Sequence, residues 1–245
     1  MFDHVTIRVS DRAASERFYE TVLRTLGIEK SYSDEHFAEW NDFSLAQATD
    51  DRPAAKRLHV GFAAASRRHV SAFWEAGIDA GFTDYGAPGI RPQYAEEDYY
   101  AGFLRDPDGN SVEAVHFESA REGGGIDHLW IRVADLGAAK QFYETIAPYA
   151  GFELRRDKPE RARFAGAPGT GSFSLVVGEP TENVHLAFPV SENATVDAFH
   201  RTLTEAGYGD NGAPGERPVY HPGYYGAFVL DPDGNNVELV NHNRG

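Results

Sequence analysis

The chain contains no cysteine among its 245 residues. Disulfides, zinc–thiolate sites, iron–sulfur clusters and thiol nucleophiles are therefore excluded. Basic residues are few: 23 Lys and Arg stand against 38 Asp and Glu, for a formal charge of −15. No basic run gathers them, which argues against a phosphate-backbone partner such as nucleic acid. No apolar stretch approaches the roughly 20 residues a membrane helix needs. The first residues, FDHVTIRVS, enter an alternating strand pattern with no basic-then-apolar leader before it. The expectation is a cytoplasmic protein with no nucleic-acid or membrane partner. With 41% hydrophobic residues, the chain has ample material for a packed core.

What is present is a repeat. FDHVTIRVSD (2–11) returns as IDHLWIRVAD (126–135), and ERFYETVLRTLGIE (16–29) as KQFYETIAPYAGFE (140–153). RLHVGFAA matches NVHLAFPV, GAPGIRPQY matches GAPGERPVY, and FLRDPDGNSVEAV matches FVLDPDGNNVELV. His4 and His128, His59 and His185, and Glu113 and Glu238 are separated by 124, 126 and 125 positions. Self-similarity of this extent means two tandem domains. The expected boundaries are 1–121 and 126–245, joined by a glycine-rich linker at 122–125.

Each copy is patterned in halves. From His4 to Val9 the residues alternate, Val5, Ile7 and Val9 on one face and His4, Thr6 and Arg8 on the other, the period of a half-buried strand. Asp11 offers an N-cap, and Phe18, Tyr19, Val22, Leu23 and Leu26 recur at helical spacing before Gly27. Strand-like pieces follow near Ile28–Tyr32, His36–Trp40 and Phe43–Ala48. The second half restarts with Leu58, Val60 and Phe62 opposite His59, Gly61 and Ala63. A helix capped by Ser66 and stopping at Gly77 follows, then a Gly/Pro-rich loop at 86–92 and two strands joined by Asp-Pro-Asp-Gly. The expected class is α+β, with βαβββ written four times.

The Asp-Pro-Asp-Gly turn sets the register of the last strand, Pro supplying φ near −65° and Gly a positive φ. In that strand Val237 and Leu239 read as the helix-covered face, so Glu238 falls on the open one, as does Glu113. A lone strand glutamate usually faces solvent. Here each copy also carries a His on the polar face of its first and fifth strands. His4, His59 and Glu113 form one set and His128, His185 and Glu238 the other. Two imidazoles and one carboxylate, with positions left for water or substrate, are the donor set of a non-haem Fe(II) or similar centre.

The βαβββ repeat, these histidines and the DPDGNxVE ending resemble the vicinal oxygen chelate superfamily, which includes glyoxalase I, fosfomycin- and bleomycin-resistance proteins and extradiol dioxygenases. The resemblance spans essentially the whole chain. It implies paired modules curled into cups of mixed strands with helices outside. It also implies one divalent metal (Fe, Mn, Ni or Zn) per cup and a small substrate chelated through vicinal oxygens. The ligands would be His4, His59, Glu113, His128, His185 and Glu238. A cup could close within one copy, or the copies could exchange modules so that His4 meets His185 and Glu238. The glyoxalase carboxylate of the fourth strand is missing from Phe43–Gln47 and Phe173–Val177. The extradiol tyrosine is replaced by Phe103 and Phe228. The expected activity is a metal-dependent lyase, isomerase or extradiol-type dioxygenase. The alternative is a metal-free sequestering cup of the bleomycin-resistance type.

Other residues expected at the cups are Arg8 and Arg132, four residues along from a ligand His on the same strand face, and Arg91 and Arg217 inside PGxRPxY. An arginine there could hold an anionic group bidentately. Trp130 takes the place of Thr6 in the second copy. One ring of each Tyr pair, 99–100 and 224–225, should face inward, and Tyr100, Tyr225 and His221 are candidate catalytic groups. The expected assembly is a monomer that is a pseudo-dimer within one chain, or a homodimer.

Overall fold

The computed structural model describes residues 1–94, 98–117 and 125–244. Four βαβββ modules follow one another. The first comprises β1 (His4–Val9), α1 (Arg12–Leu23), β2 (Tyr32–Ser33), β3 (Phe37–Trp40) and β4 (Phe43–Gln47). The second comprises β5 (His59–Ala63), α2 (Arg67–Asp79), β6 (Thr83–Ile90), β7 (Tyr100–Arg105) and β8 (Ser111–His116). In the second copy the third comprises β9 (Ile126–Val133), α3 (Leu136–Ala150), β10 (Glu153–Lys158), β11 (Arg161–Ala165) and β12 (Ser172–Val177). The fourth comprises β13 (Val184–Pro189), α4 (Asn193–Glu205), β14 (Gly209–Glu216), β15 (Tyr225–Leu230) and β16 (Asn236–Asn241). Most of the expected linker at 122–125 lies outside the described residues.

The modules pair across the copies. One eight-stranded sheet runs β14-β15-β16-β13-β1-β4-β3-β2 and joins the fourth module to the first. The other runs β10-β11-β12-β9-β5-β8-β7-β6 and joins the third to the second. The seams are antiparallel, β1 on β13 and β5 on β9. Of the two arrangements open in the sequence, the fold takes module exchange.

One face of each sheet is apolar. Val5, Ile7 and Val9, and likewise Leu129, Ile131 and Val133, are fully or almost fully buried, along with Val237 and Leu239. Phe18, Phe142 and Phe199 on the helices close over them. The repeated FYET tyrosines fasten neighbouring modules of one copy. Tyr19 donates to Asp106 at 3.0 Å, and Tyr143 to Asp231 at 3.1 Å. Those aspartates open the Asp-Pro-Asp-Gly turns, whose Asn110 and Asn235 accept from the backbone N–H of Leu58 and Val184. The turn thus ties the last strand of a module to the start of the strand bearing His59 or His185.

Several local expectations are corrected. Gly77 does not end α2; the helix passes it and stops before Gly81 at φ 82°. Gly77 is there for packing, since a Cβ on it would lie 2.3 Å from Leu104 Cδ1. Ser66 holds the N-cap position but makes no cap bond, its hydroxyl meeting His69 Nδ1 at 2.8 Å instead. The Gly/Pro-rich segment at 86–92 is mostly strand, β6, with register shifts at Asp84/Gly86 and Gly86/Gly89. The piece expected at 28–32 forms only as Tyr32–Ser33.

Candidate metal centre

The sheet register converges six side chains into two groups. In one sheet His4 lies opposite Ala187, and Ala187 opposite Glu238 on the next strand. In the other, His128 lies opposite Gly61 and Gly61 opposite Glu113. Directly opposed residues point to the same face, so each row sends a His and a Glu upward with a small residue between them. Strands lie about 4.8 Å apart, so the two long side chains can meet only by leaning over that residue. A Cβ at Gly61 would fall 2.4 Å from His128 Cε1, which shows how closely the ring covers it. His185 and His59 enter from two residues earlier on the central strand.

In the first cup His185 Nε2 lies 3.0 Å from Glu238 Oε2 and 3.0 Å from His4 Nε2, while His4 stands 3.7 Å from the carboxylate. In the second cup His59 is 2.8 Å and His128 3.2 Å from Glu113 Oε2, and the two rings approach to 3.2 Å. Both glutamates are 1% exposed. The other carboxylate oxygen accepts from a tyrosine, Tyr99 to Glu113 at 2.8 Å and Tyr224 to Glu238 at 2.7 Å. Burial, then the carboxylate, raises both phenols above their ordinary range. They stay neutral donors.

The far ring nitrogens are also held. Asp3 meets His4 Nδ1 and Asp127 meets His128 Nδ1, each at 2.8 Å. Ser111 lies 2.9 Å from His59 Nδ1, and the Asn236 amide contacts His185 Nδ1. A carboxylate on Nδ1 fixes the tautomer that leaves Nε2 for a metal and raises its basicity. In the first cup the row continues outward: Asp3 meets His242 Nε2 at 2.8 Å, and His242 Nδ1 meets His221 Nε2 at 2.8 Å.

The electrostatics follow from this packing. Burial alone would raise the Glu113 carboxyl, but hydrogen bonds to His128 and His59 outweigh it and hold it at about 2. Burial would lower His128, but Asp127 and Glu113 lift it to about 9. Burial pushes His59 and His185 down, and that keeps these two imidazoles neutral. Against burial, Asp3 and Glu238 raise His4.

The donor set fits a divalent ion. Ligand atoms about 2.1 Å from a metal and at right angles around it lie about 3 Å apart, close to the separations in both groups. Within each group all donor atoms lie within 4.8 Å of one another. Two imidazoles and one carboxylate suit Fe(II), Mn, Ni or Zn.

The structure places the other expected residues unevenly. Tyr100 and Tyr225 are corrected: they face the helices, with Tyr225 donating to Asp197 at 2.7 Å and Tyr100 3.5 Å from Ser71. Their neighbours Tyr99 and Tyr224 are the inward rings. His221 stands at the end of the row to His4, 2.8 Å from His242 and away from the carboxylate of Glu238. Arg91 and Arg217 curl back onto the carbonyls of Ala87 and Ala213 and lie over Phe103 and Phe228. Those two rings in turn stand beside His59 and His185, at 6.2 and 6.1 Å. Arg8 donates to the carbonyl of Gln47, and Arg132 is exposed. Trp130 lies 5.5 Å from the His59 ring, inside the second cup.

Sequence reasoning missed Asp3 and Asp127, although the Asp-His pair is written in both copies. It also missed Arg161, whose guanidinium lies 4.5 Å over the Trp130 ring.

Comparison with known proteins agrees with this geometry. The sequence profile of the Glyoxalase/Bleomycin resistance protein/Dioxygenase superfamily matches residues 1–114 and 125–239. An uncharacterized protein of Pseudomonas aeruginosa is 32% identical over 123 residues, 46% of this chain and 86% of that protein. Glyoxalase I of Zea mays superposes with a TM-score of 0.70 at 20% identity, over 98% of this chain and 92% of that one. A candidate dioxygenase of Bacillus subtilis superposes with a TM-score of 0.66 at 13% identity, over 100% of this chain and 86% of that one. These two likenesses concern the fold. With its four modules and a profile match over nearly its whole length, the chain belongs to the Glyoxalase/Bleomycin resistance protein/Dioxygenase superfamily.

Proposed function

We propose that the chain is a divalent-metal-dependent enzyme acting on a small oxygenated substrate chelated through vicinal oxygens. The ligands are His4, His185 and Glu238 in one cup and His59, Glu113 and His128 in the other. The observation that carries this is the double convergence of donor atoms drawn from modules of different copies. Burying a carboxylate beneath two imidazoles is costly, and the fold does it twice.

A metal held there supplies Lewis-acid polarisation of a chelated carbonyl, enolate or catecholate. The chain's own residues do the rest. Asp3 and Asp127 hold the histidines in the ligating tautomer. Tyr99 and Tyr224 occupy one oxygen of each glutamate and leave the other for ligation. Phe103 and Phe228 wall the histidines and exclude water from one side. The reaction class is a lyase or isomerase, or an extradiol-type dioxygenase, on a small molecule.

Elemental analysis of untagged protein purified without chelator or added metal tests this. Bound Fe, Mn, Ni or Zn at up to one ion per cup is the expected result. No ion after purification, and none retained on titration with Fe(II), Mn, Ni and Zn, would leave a metal-free small-molecule binder of the bleomycin-resistance kind.

A further inference from the structure

The two cups carry different charges at matching positions. In the first cup Phe37 lies opposite Ala46, and Glu39 opposite Ser44. In the second the same places hold Arg161, opposite Val176, and Arg163, opposite Ser174. Tyr32, opposite Glu39, is replaced by Arg156, opposite Arg163. On the central strand Thr6 is replaced by Trp130. An acidic and neutral wall in one cup is thus a wall of three arginines and an indole in the other.

These arginines are not consumed by the fold. Among the described residues, Arg161 donates to the Ser174 hydroxyl at 3.0 and 3.1 Å, and Arg163 to the Ser172 hydroxyl at 3.3 Å. None of the three forms an ion pair with a described carboxylate. Burial, followed by repulsion from Arg163 and Arg156, pulls the Arg161 guanidinium below its usual value. An anion would relieve that repulsion. An aromatic wall leads from Arg161 to the metal ligands: the guanidinium covers Trp130, whose ring centre lies 5.5 Å from that of His59 and 5.6 Å from that of Tyr94, the two rings inclined to it at 55° and 89°.

We infer that the cup of His59, Glu113 and His128 selects a planar carboxylate. The acid group is held by Arg161 with Arg163 alongside, the flat body lies on Trp130, and the vicinal oxygens reach the triad. This deepens the proposed function and rests on that reading for the vicinal oxygens alone; the anion site stands on the arginines. The cup of His4, His185 and Glu238, with Glu39 in the place of Arg163, disfavours the same ligand.

The test compares catechol with 3,4-dihydroxybenzoate, which differ by one carboxylate, binding to metal-loaded protein and followed by calorimetry. The acid binds about tenfold tighter or more, the effect of one charge-assisted contact. Arg161→Gln removes that advantage, read as the ratio of the catechol and 3,4-dihydroxybenzoate dissociation constants within the variant. Arg163→Gln reduces it, and Arg155→Gln, on the same sheet but paired with Glu153, does not. Equal binding of both compounds to the wild-type chain overturns the inference, as does an advantage that survives both Arg161→Gln and Arg163→Gln. Benzoate with metal-free protein separates the two readings. Binding of benzoate that depends on Arg161 supports the anion site even where no metal is retained, and its absence in metal-free protein overturns it.

Discussion

The two cups are copies of one design, and besides their walls they differ at the floor, where one side chain must lean over another strand. At the floor of the second cup is Gly61, and at the floor of the first is Ala187. Over the glycine, His128 approaches Glu113 to 3.2 Å; over the alanine, His4 stops 3.7 Å from Glu238. One strand further the exchange is reversed. Gly226 lies beneath Glu238, where a Cβ would meet Oε1 at 2.6 Å, while Ala101 holds the matching place below Glu113. In the first cup the carboxylate has the room, and in the second the histidine has it. Duplication preserved the donors and let the floor and walls drift, as expected if each cup serves a different substrate or only one is catalytic.

The largest expected effect breaks the pairing itself. Glu113→Ala removes one ion per chain and leaves the cup of His4 loaded; Glu238→Ala does the converse. Because the sheets exchange modules, Glu113→Ala couples with His128→Ala and adds independently with His4→Ala, residues that share a site being non-additive. Metal titration of the singles and doubles checks this. Coupling of Glu113 with His4 would refute the exchange.

Next come the carboxylates behind the histidines. Asp127→Asn and Asp3→Asn should each weaken metal in its own cup by about 10- to 100-fold, the usual cost of losing such a partner. Asp3 also holds His242, so its loss frees the row to His221; in the second cup Phe117 stands at the place that matches His242. Separate Kd values for the two cups, measured in Glu238→Ala and Glu113→Ala backgrounds, test the difference.

Much of this was legible in the sequence, for particular reasons. The alternation in HVTIRV and DHLWIRV fixed which face His4 and His128 occupy, and the repeated Asp-Pro-Asp-Gly turn placed each glutamate on the same side. Periodicity says nothing about which strands become neighbours, so the choice between a cup within one copy and module exchange stayed open: β1–β13 and β5–β9 pairing joins residues far apart in the chain. It also could not choose between adjacent tyrosines, since a one-residue shift at a strand's start reverses every side chain; Tyr99 and Tyr224 precede their strands. Gly61 and Gly77 read as neutral or breaking residues, yet both are set by close packing against a side chain on another element. Arg161 and Arg163 share β11, whose register with Trp130 only the folded sheet supplies.

A subtler change converts one floor into the other. Gly61→Ala places a methyl within the space of the His128 ring, so the ring must retreat as His4 does over Ala187. The expected result is metal binding in the second cup weakened to the level of the first, with the first unchanged. Loss of all metal from the second cup would mean that Ala187 is tolerated in the first only through the extra room above Gly226, which Ala101 denies the second.

The smallest effect is a pH signature of the metal-free protein, and it also separates the cups. The carboxyl of Glu113 is held at about 2, below its unfolded value near 4.3. Its contribution to stability is therefore present above pH 4.3 and lost as the pH falls through 2. His128 is raised to about 9 from an unfolded value near 6.5. Its contribution is complete below pH 6.5 and lost as the pH rises through 9. The metal-free chain thus gains from both between about pH 4.3 and 6.5, and His128→Gln should flatten the alkaline decline in Tm relative to the wild type. Metal reverses that limb, because binding at Nε2 displaces the proton from His128. Apparent affinity in the second cup should climb by up to about tenfold per pH unit until pH 9 is approached. In Glu238→Ala protein the climb should persist, and in Glu113→Ala protein it should follow the His4 cup instead; a climb identical in the two would place the titration outside the cups.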